Sequence, residues 1–395
     1  MSYLISTALL TCCALVAFMA SAAVSYGGDK APVIIGAFYN VTGGMGSIDG
    51  PGMEGAKLAA KIANARGGIL GGRKVEIMAF DTKTDLKLAS SSAATASRAA
   101  MTAAVGYGDS DFVLAAAPHF QARGIPFVTS GATDPTLPGR IGSRLFLAAF
   151  GDDDQASAVA EYGYQRLKAR RIVLWTDRST DFTRTLSRFF KERFILLGGK
   201  IVEEISFTSG DGKFKDLALK LKSLHPKADG LFAASLPGDA GTIIRQVREA
   251  GLSLPILSGD GFDTEFAVSV PGPKLANQVF FSTHMYRGDR SRRTQDFIQS
   301  YRSEYNKEPE SAFAALGFDA VGLVIDAISR ADSTETRLVA EALANTYGYE
   351  GVTGTISYVR RPGIPAKDVS ILEIKNGVYE LADVWKPLYR STSLP

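Results

Sequence analysis

Cysteine is nearly absent from this chain. Its 395 residues include two, Cys12 and Cys13, side by side in the first segment. Everything after them is therefore without a disulfide framework, a thiol nucleophile or a cysteine-based metal site. Histidine is scarce as well. His119, His225 and His284 lie far apart, and none stands in an H-E-x-x-H arrangement. An excess of one charge sign is also lacking: 44 Lys and Arg against 41 Asp and Glu leave a net charge of +3. No basic run has the density of a nucleic-acid footprint. Arg290-Ser291-Arg292-Arg293 is short and reads as a solvated loop or helix start, so no nucleic-acid partner is expected.

Residues 1–28 lack Asp, Glu, Lys and Arg altogether and are apolar from Leu4 to Val24. Small residues Ala20-Ser21-Ala22-Ala23 end that run, as in the cleavage region of a secretory signal peptide. Met1-Ser2-Tyr3 lacks the usual positive side chain. That leaves an uncleaved anchor as the alternative, since about 20 apolar residues span a bilayer. The Ala, Ser and Thr content of the segment favours cleavage. Leu10-Thr11 ahead of Cys12 do not form a lipid-attachment site. A cysteine-free exported chain suits a bacterial periplasm.

What is present is globular material, 46% hydrophobic and 22% charged, long enough for two domains. Pro32 to Tyr39 is a continuous apolar run, as a buried parallel strand should be. A Gly-rich loop, 40–50, precedes a helix over 52–65. Strand 74–80 and a helix over 87–99 follow. From Arg171 the pattern restarts, with strands at 172–175, 201–207, 230–234 and 255–258 and helices at 182–197, 214–224 and 240–250. Strict alternation of strand and helix predicts doubly wound parallel sheets, here in two successive lobes with a cleft between them. After Gly261 the alternation loosens. The tail has too few elements for a third domain and is expected to complete both lobes.

One stretch stands out, Val105 to Pro135. It holds two apolar runs, each ending in a loop of small hydrogen-bonding residues: Gly106 to Asp111 and Ser130 to Asp134. Between them a helix over 111–122 is expected to be interrupted at Pro118. If the two strands are parallel, both loops emerge on the sheet edge where open α/β proteins bind ligands. Helix capping by Ser, Thr and Asp is the alternative reading. The run Asp152-Asp153-Asp154 invites a metal site, but Asp side chains also cap helices and offset the helix dipole.

Enzymatic motifs are missing. Thr42-Gly43-Gly44-Met45-Gly46 lacks the Gly-Lys-Ser/Thr ending of a phosphate loop and misses the G-x-G-x-x-G spacing by one residue. No G-x-S-x-G nucleophile elbow occurs. No cofactor is expected, and an exported two-lobed chain without catalytic machinery points to binding rather than catalysis.

Five segments carry a resemblance: GGILGGRKVE at 67–76, IPFVTSGATDPTL at 125–137, RQVREAGLSLPILSGDGFD at 245–263, AFAALGFDAVGL at 312–323 and GVTGTISY at 351–358. In this order and spacing the chain resembles the substrate-binding proteins of bacterial ABC importers for branched-chain amino acids, the leucine/isoleucine/valine-binding type. The likeness runs from about Pro32 to about Trp385. It implies an α/β, type I periplasmic binding protein fold: two doubly wound parallel-sheet lobes joined by a three-crossover hinge. One lobe would take 31–148 and 283–356, the other 149–282 and 357–395, after a signal peptide over 1–28.

The resemblance also implies site residues. Ser110, Gly131 and Thr133 match positions that grip an amino acid's α-carboxylate, and Asp260 matches the acidic residue that holds its ammonium. Phe182 stands where Tyr is common, and Leu236 falls in a loop that usually offers a second aromatic, so the far wall is altered. Tyr107 and Asp109 adjoin the first grip. A zwitterion taken out of water needs both charges paired or hydrogen-bonded, which these residue types supply. The implied partners are a small molecule, an amino acid first, and an inner-membrane ABC permease, with the protein itself a monomer. An amide, urea or small organic acid, or a role as ligand sensor, are the alternatives.

Overall fold

The computed structural model describes residues 30–387. The expected signal peptide and both cysteines lie outside the described residues. The first lobe begins with β1 (Val33–Tyr39), α1 (Gly46–Ala65), β2 (Val75–Asp81), α2 (Leu86–Ala96) and β3 (Ala103–Gly106). It goes on through α3 (Ser110–Gln121), β4 (Phe127–Thr129), α4 (Leu137–Ile141) and β5 (Leu145–Leu147). These strands form one five-stranded sheet in the order β2-β1-β3-β4-β5, with every pairing parallel.

The second lobe repeats the plan. Its elements are α5 (Asp152–Gln165), β6 (Arg171–Asp177), α6 (Asp181–Leu196), β7 (Lys200–Phe207) and α7 (Phe214–Ser223), then β8 (Gly230–Ala234), α8 (Pro237–Glu249), β9 (Ile256–Ser258), α9 (Phe266–Ser269) and β10 (Val279–Thr283). The chain then returns to the first lobe as α10 (Arg292–Tyr305), α11 (Ala312–Ala331), α12 (Thr336–Ala344) and a hairpin of β11 (Tyr349–Gly351) and β12 (Gly354–Ile356). It crosses back to end as β13 (Val369–Lys375) and β14 (Val378–Trp385) on the second sheet.

That sheet runs β14-β13-β10-β9-β8-β6-β7. Its parallel part, β7-β6-β8-β9-β10, has the same strand order as the first lobe. The two last strands join antiparallel, so this sheet is mixed rather than wholly parallel. Asn376 and Gly377 close β13 and β14 into a hairpin, and strands joined by so short a turn pair only antiparallel, because parallel neighbours need a long crossover. Both sheets are covered on both faces. In the first lobe, α1 and α11 bury Val33, Ile35, Val105 and Val324 on one side. On the other side α2 and α3 bury Phe38, Phe120 and Phe127. The apolar α11 is long enough to cross a membrane by composition, but it is a core helix, with Leu323, Val324 and Ile328 fully buried.

Two local expectations change. The loop over 40–50 ends early, because α1 starts at Gly46. Its first turn is tied down by Asp49, whose carboxylate accepts from the Asn40 N–H at 2.8 Å and the Gly108 N–H at 2.7 Å. The helix α3 runs on through Pro118. Burial of Phe112, Val113, Ala116, Ala117 and Phe120 outweighs the one backbone bond that proline removes.

Candidate functional site

In a 2-1-3-4-5 sheet the strand order reverses between the first and third strands, and the carboxyl ends there leave a crevice. The two lobes turn their crevices toward each other. The first contributes the loops after β1 and β3, the second those after β6 and β8. With Phe313 from the start of α11 and Asp260 and Gly261 from the turn after β9, they enclose one cavity: Met45, Ile48, Gly108, Asp109 and Phe313 on one side, and Phe182, Leu236, Pro237, Asp260 and Gly261 on the other. The lobes are shut, for this cavity measures about 10 Å³, roughly the space of one water. Its walls are apolar except for two carboxylates, one from each lobe. Among the described residues no Lys or Arg lines it.

The strand β3 leads into the site through a backbone turn. Gly106 has φ +149°, and a Cβ there would lie 1.8 Å from the Phe38 carbonyl oxygen. Tyr107 follows at φ +56°. Its carbonyl accepts from the Thr129 and Ser130 hydroxyls and the Gly131 N–H, which fixes the loop after β4 against the loop after β3. Asp109 then caps α3, accepting from the Asp111 N–H at 2.9 Å. Burial, and next the charge of Asp111, push the Asp109 carboxyl up to about 7. Burial likewise pushes Asp49 up to about 6.

Across the cleft, Asp260 follows β9 in a short 3-10 turn, Asp260–Phe262. Its carboxylate accepts from the Gln155 side chain at 3.1 Å and pairs with His284 Nε2 at 3.0 Å. His284 is 4% exposed, and its ring stacks on Phe150 with centroids 3.7 Å apart. Burial lowers its pKa, so the ring is neutral at neutral pH and offers Asp260 a hydrogen bond rather than a cation.

Of the residues singled out in the sequence, Asp109, Phe182, Leu236 and Asp260 meet at the cavity. Ser110, Gly131, Thr133 and Tyr107 lie just behind it. The Ser110 hydroxyl accepts from the Asp134 N–H. Gly131 lies under the Phe313 ring, where a Cβ would meet that ring at 2.7 Å. The Thr133 carbonyl accepts from the Asp152 N–H, and its hydroxyl bonds the Asp152 carboxylate. The Tyr107 ring is fully buried and packs against Phe112 and Phe127 as part of the lobe core. Asp153 and Asp154 pair with Arg361, which comes from the third crossover, so these acids brace the hinge.

Met45, Ile48, Phe313, His284 and Asp49 belong to the site or its support without having been picked out. Phe313 lies within a segment that carries the resemblance, but the other four sit in no motif. Only the sheet edge brings them to the cleft.

Comparison with known proteins agrees with this geometry. The family model described as periplasmic binding protein matches residues 32–378. The Leu/Ile/Val-binding protein homolog 3 of Brucella melitensis is 25% identical over 348 residues, covering 88% of this chain and 92% of that protein. The branched-chain amino acid transporter substrate-binding protein LivJ of Streptococcus pneumoniae, solved with isoleucine, is 29% identical at a TM-score of 0.84, covering 90% of this chain and 100% of that one. The leucine-binding protein LivK of Thermotoga maritima is also 29% identical, at a TM-score of 0.82, covering 90% and 99%. Two lobes of matching strand order, three crossovers and a cleft at both switch points place this chain in the periplasmic binding protein family, whose members bind solutes outside the cytoplasm.

Proposed function

We propose that this protein is the periplasmic solute-binding component of an ABC importer. It takes a free amino acid, branched-chain or closely related, into the cleft and delivers it to an inner-membrane permease. The chain is exported by a cleavable signal peptide over 1–28 and acts as a monomer. Its lobes, 31–148 with 283–356 and 149–282 with 357–395, part to admit the ligand and close over it.

The observation that carries this reading is the cavity between the lobes, mostly apolar on both walls, with Asp260 reaching it from the carboxyl end of β9 in the second lobe. Asp260 holds the ligand's ammonium, steadied by Gln155 and His284. Ser110, Gly131 and Thr133 take the α-carboxylate once Phe313 swings off Gly131. Phe182, Leu236, Ile48 and Met45 surround an aliphatic side chain. The relatives named for leucine, isoleucine and valine support the same ligand class.

Titration calorimetry with the twenty standard amino acids tests it, and heat from at least one aliphatic member is expected. Replacing Asp260 by Ala should weaken that binding by roughly 3–5 kcal/mol, since it strands a buried ammonium. A flat panel would reject the ligand class, and unchanged affinity in Asp260→Ala would reject the role of that residue. One observation favours a second reading, an amide or urea ligand: Asp109 brings a carboxylate beside the Ser110 grip, where a neutral donor fits more readily than an anion.

A further inference from the structure

Asp109 stands where the amino-acid reading needs the ligand's negative end. It lines the cavity beside Ser110 and is only 3% exposed. One of its oxygens caps α3, so the positive end of that helix is already met by the protein's own carboxylate. The groups facing it are acidic on nearly every side. Asp111 shares its helix and Asp49 faces it from α1. Asp260, paired with His284, lines the same cavity from the second lobe. Asp134, in the loop after β4, gives its N–H to Ser110. Of the bases nearby, Arg140 pairs with Asp134 at 3.2 Å and with Asp181 at 3.0 Å, Arg184 pairs with Asp181, both bear on Asp111, and neither lines the cavity.

Buried at the cavity wall with the carboxylates of Asp111 and Asp49 around it, Asp109 holds its proton more tightly than a free carboxyl does. Resting on the amino-acid reading, we propose that Asp109 receives the ligand's α-carboxylate as a neutral acid, donating its proton to it, so that capture takes up a proton and Asp109 decides which anions the cleft admits. The balance is simple. Solvent supplies one proton to the Asp109 oxygen that does not cap the helix. That O–H then hydrogen-bonds the ligand's carboxylate, and release returns the proton. The elevated pKa of Asp109 supports this, because the proton is half in place at neutral pH before any ligand arrives.

The test is calorimetry of the purified protein between about pH 6 and about pH 8.5, in buffers of different ionisation enthalpy. The probes are the tightest-binding standard amino acid and L-leucinol, which keeps the ammonium but has no carboxylate. The amino acid should bind with proton uptake, and its affinity should fall toward about tenfold per pH unit on the alkaline side. The Asp109→Asn variant keeps a good helix cap and should bind the amino acid without that slope. L-leucinol should show neither slope nor uptake. Pairing of His284 with Asp260 persists in Asp109→Asn, so a slope that survives there belongs to that pair and overturns the proposal. Amino-acid binding by the wild type without proton uptake overturns it too, while leaving the amino-acid reading intact. No binding by any amino acid overturns both.

Discussion

Lys367 is a cation enclosed in the hinge. It is 2% exposed, and its ammonium donates to the Ala148 carbonyl at 2.9 Å and to the Thr353 hydroxyl. Ala148 lies at the first crossover and Lys367 in the third, so one side chain ties two of the three connections. Burial lowers its pKa to about 8, and only the charge of Asp319 opposes that. Lys367→Met keeps the stem but leaves the carbonyl unpaired and Asp319 without a countercharge. It should cost about 2–4 kcal/mol of stability. Urea unfolding checks this, and a variant within ~0.5 kcal/mol of wild type would sink the idea. Nothing in the sequence around Lys367 marks it, because its partners Ala148, Asp319 and Thr353 come from separate segments that only the fold brings together. Asp260, Phe182 and Leu236 were legible through the family resemblance, which assigns their positions. Asp109 sits in the small-residue loop after an apolar run, and strand ends in parallel sheets carry ligand sites. His284 escaped because a lone histidine after a strand looks the same whether it sits in solvent or against an acid.

At the scale of elements, the helix pair α1 and α11 shows how backbone contact positions a site residue. A Cβ on Gly55 would lie 1.8 Å from the Ala314 carbonyl oxygen, and one on Gly317 would lie 1.9 Å from that of Gly52. The helices therefore touch backbone to backbone, and Phe313 at the start of α11 is held over the cleft by that contact. Gly55→Ala gains about 1 kcal/mol of helix propensity, but it must push α11 away, and overpacking of this kind costs about 1–3 kcal/mol or more. The variant should be less stable and, because Phe313 shifts, should bind ligand more weakly. Gly238→Ala in α8 is the control. Nothing lies within 4 Å of its Cβ, and it should be neutral or stabilising. Equal stability of the two variants by denaturant titration would refute the close contact. The elements themselves were readable, since apolar runs and glycine stops repeat in step along both lobes. What stayed hidden was the start of α1 at Gly46, because Gly43 to Gly50 has loop composition while the first turn of the helix is held by the tertiary anchor of Asp49.

For the whole molecule, the buried acids at cleft and hinge set how stability responds to pH. In the unfolded chain each Asp titrates near about 3.9. In the folded chain burial pushes Asp49 up to about 6 and Asp109 and Asp154 up to about 7. The folded state thus holds more protons across that interval, so the stability these three acids contribute is complete at low pH and is lost as pH rises through 6 to 7. His284 works in the other direction: its folded pKa is lowered, and its contribution is lost as pH falls. Asp81, Asp181, Asp229 and Asp289, all held below the usual carboxylate range, matter only in stronger acid. Lys367 acts on the alkaline side. Burial raises Asp152, Asp263 and Asp319 as well. From about pH 7.5 to about pH 5.5 these carboxylates together oppose one histidine, and the protein should gain about 1–3 kcal/mol. Chemical denaturation at the two pH values measures it, and Asp49→Asn with Asp109→Asn should remove part of the difference. Lower stability at the acidic value would mean that these carboxylates are ionised in the folded protein, with water reaching a cleft that the structure shows shut.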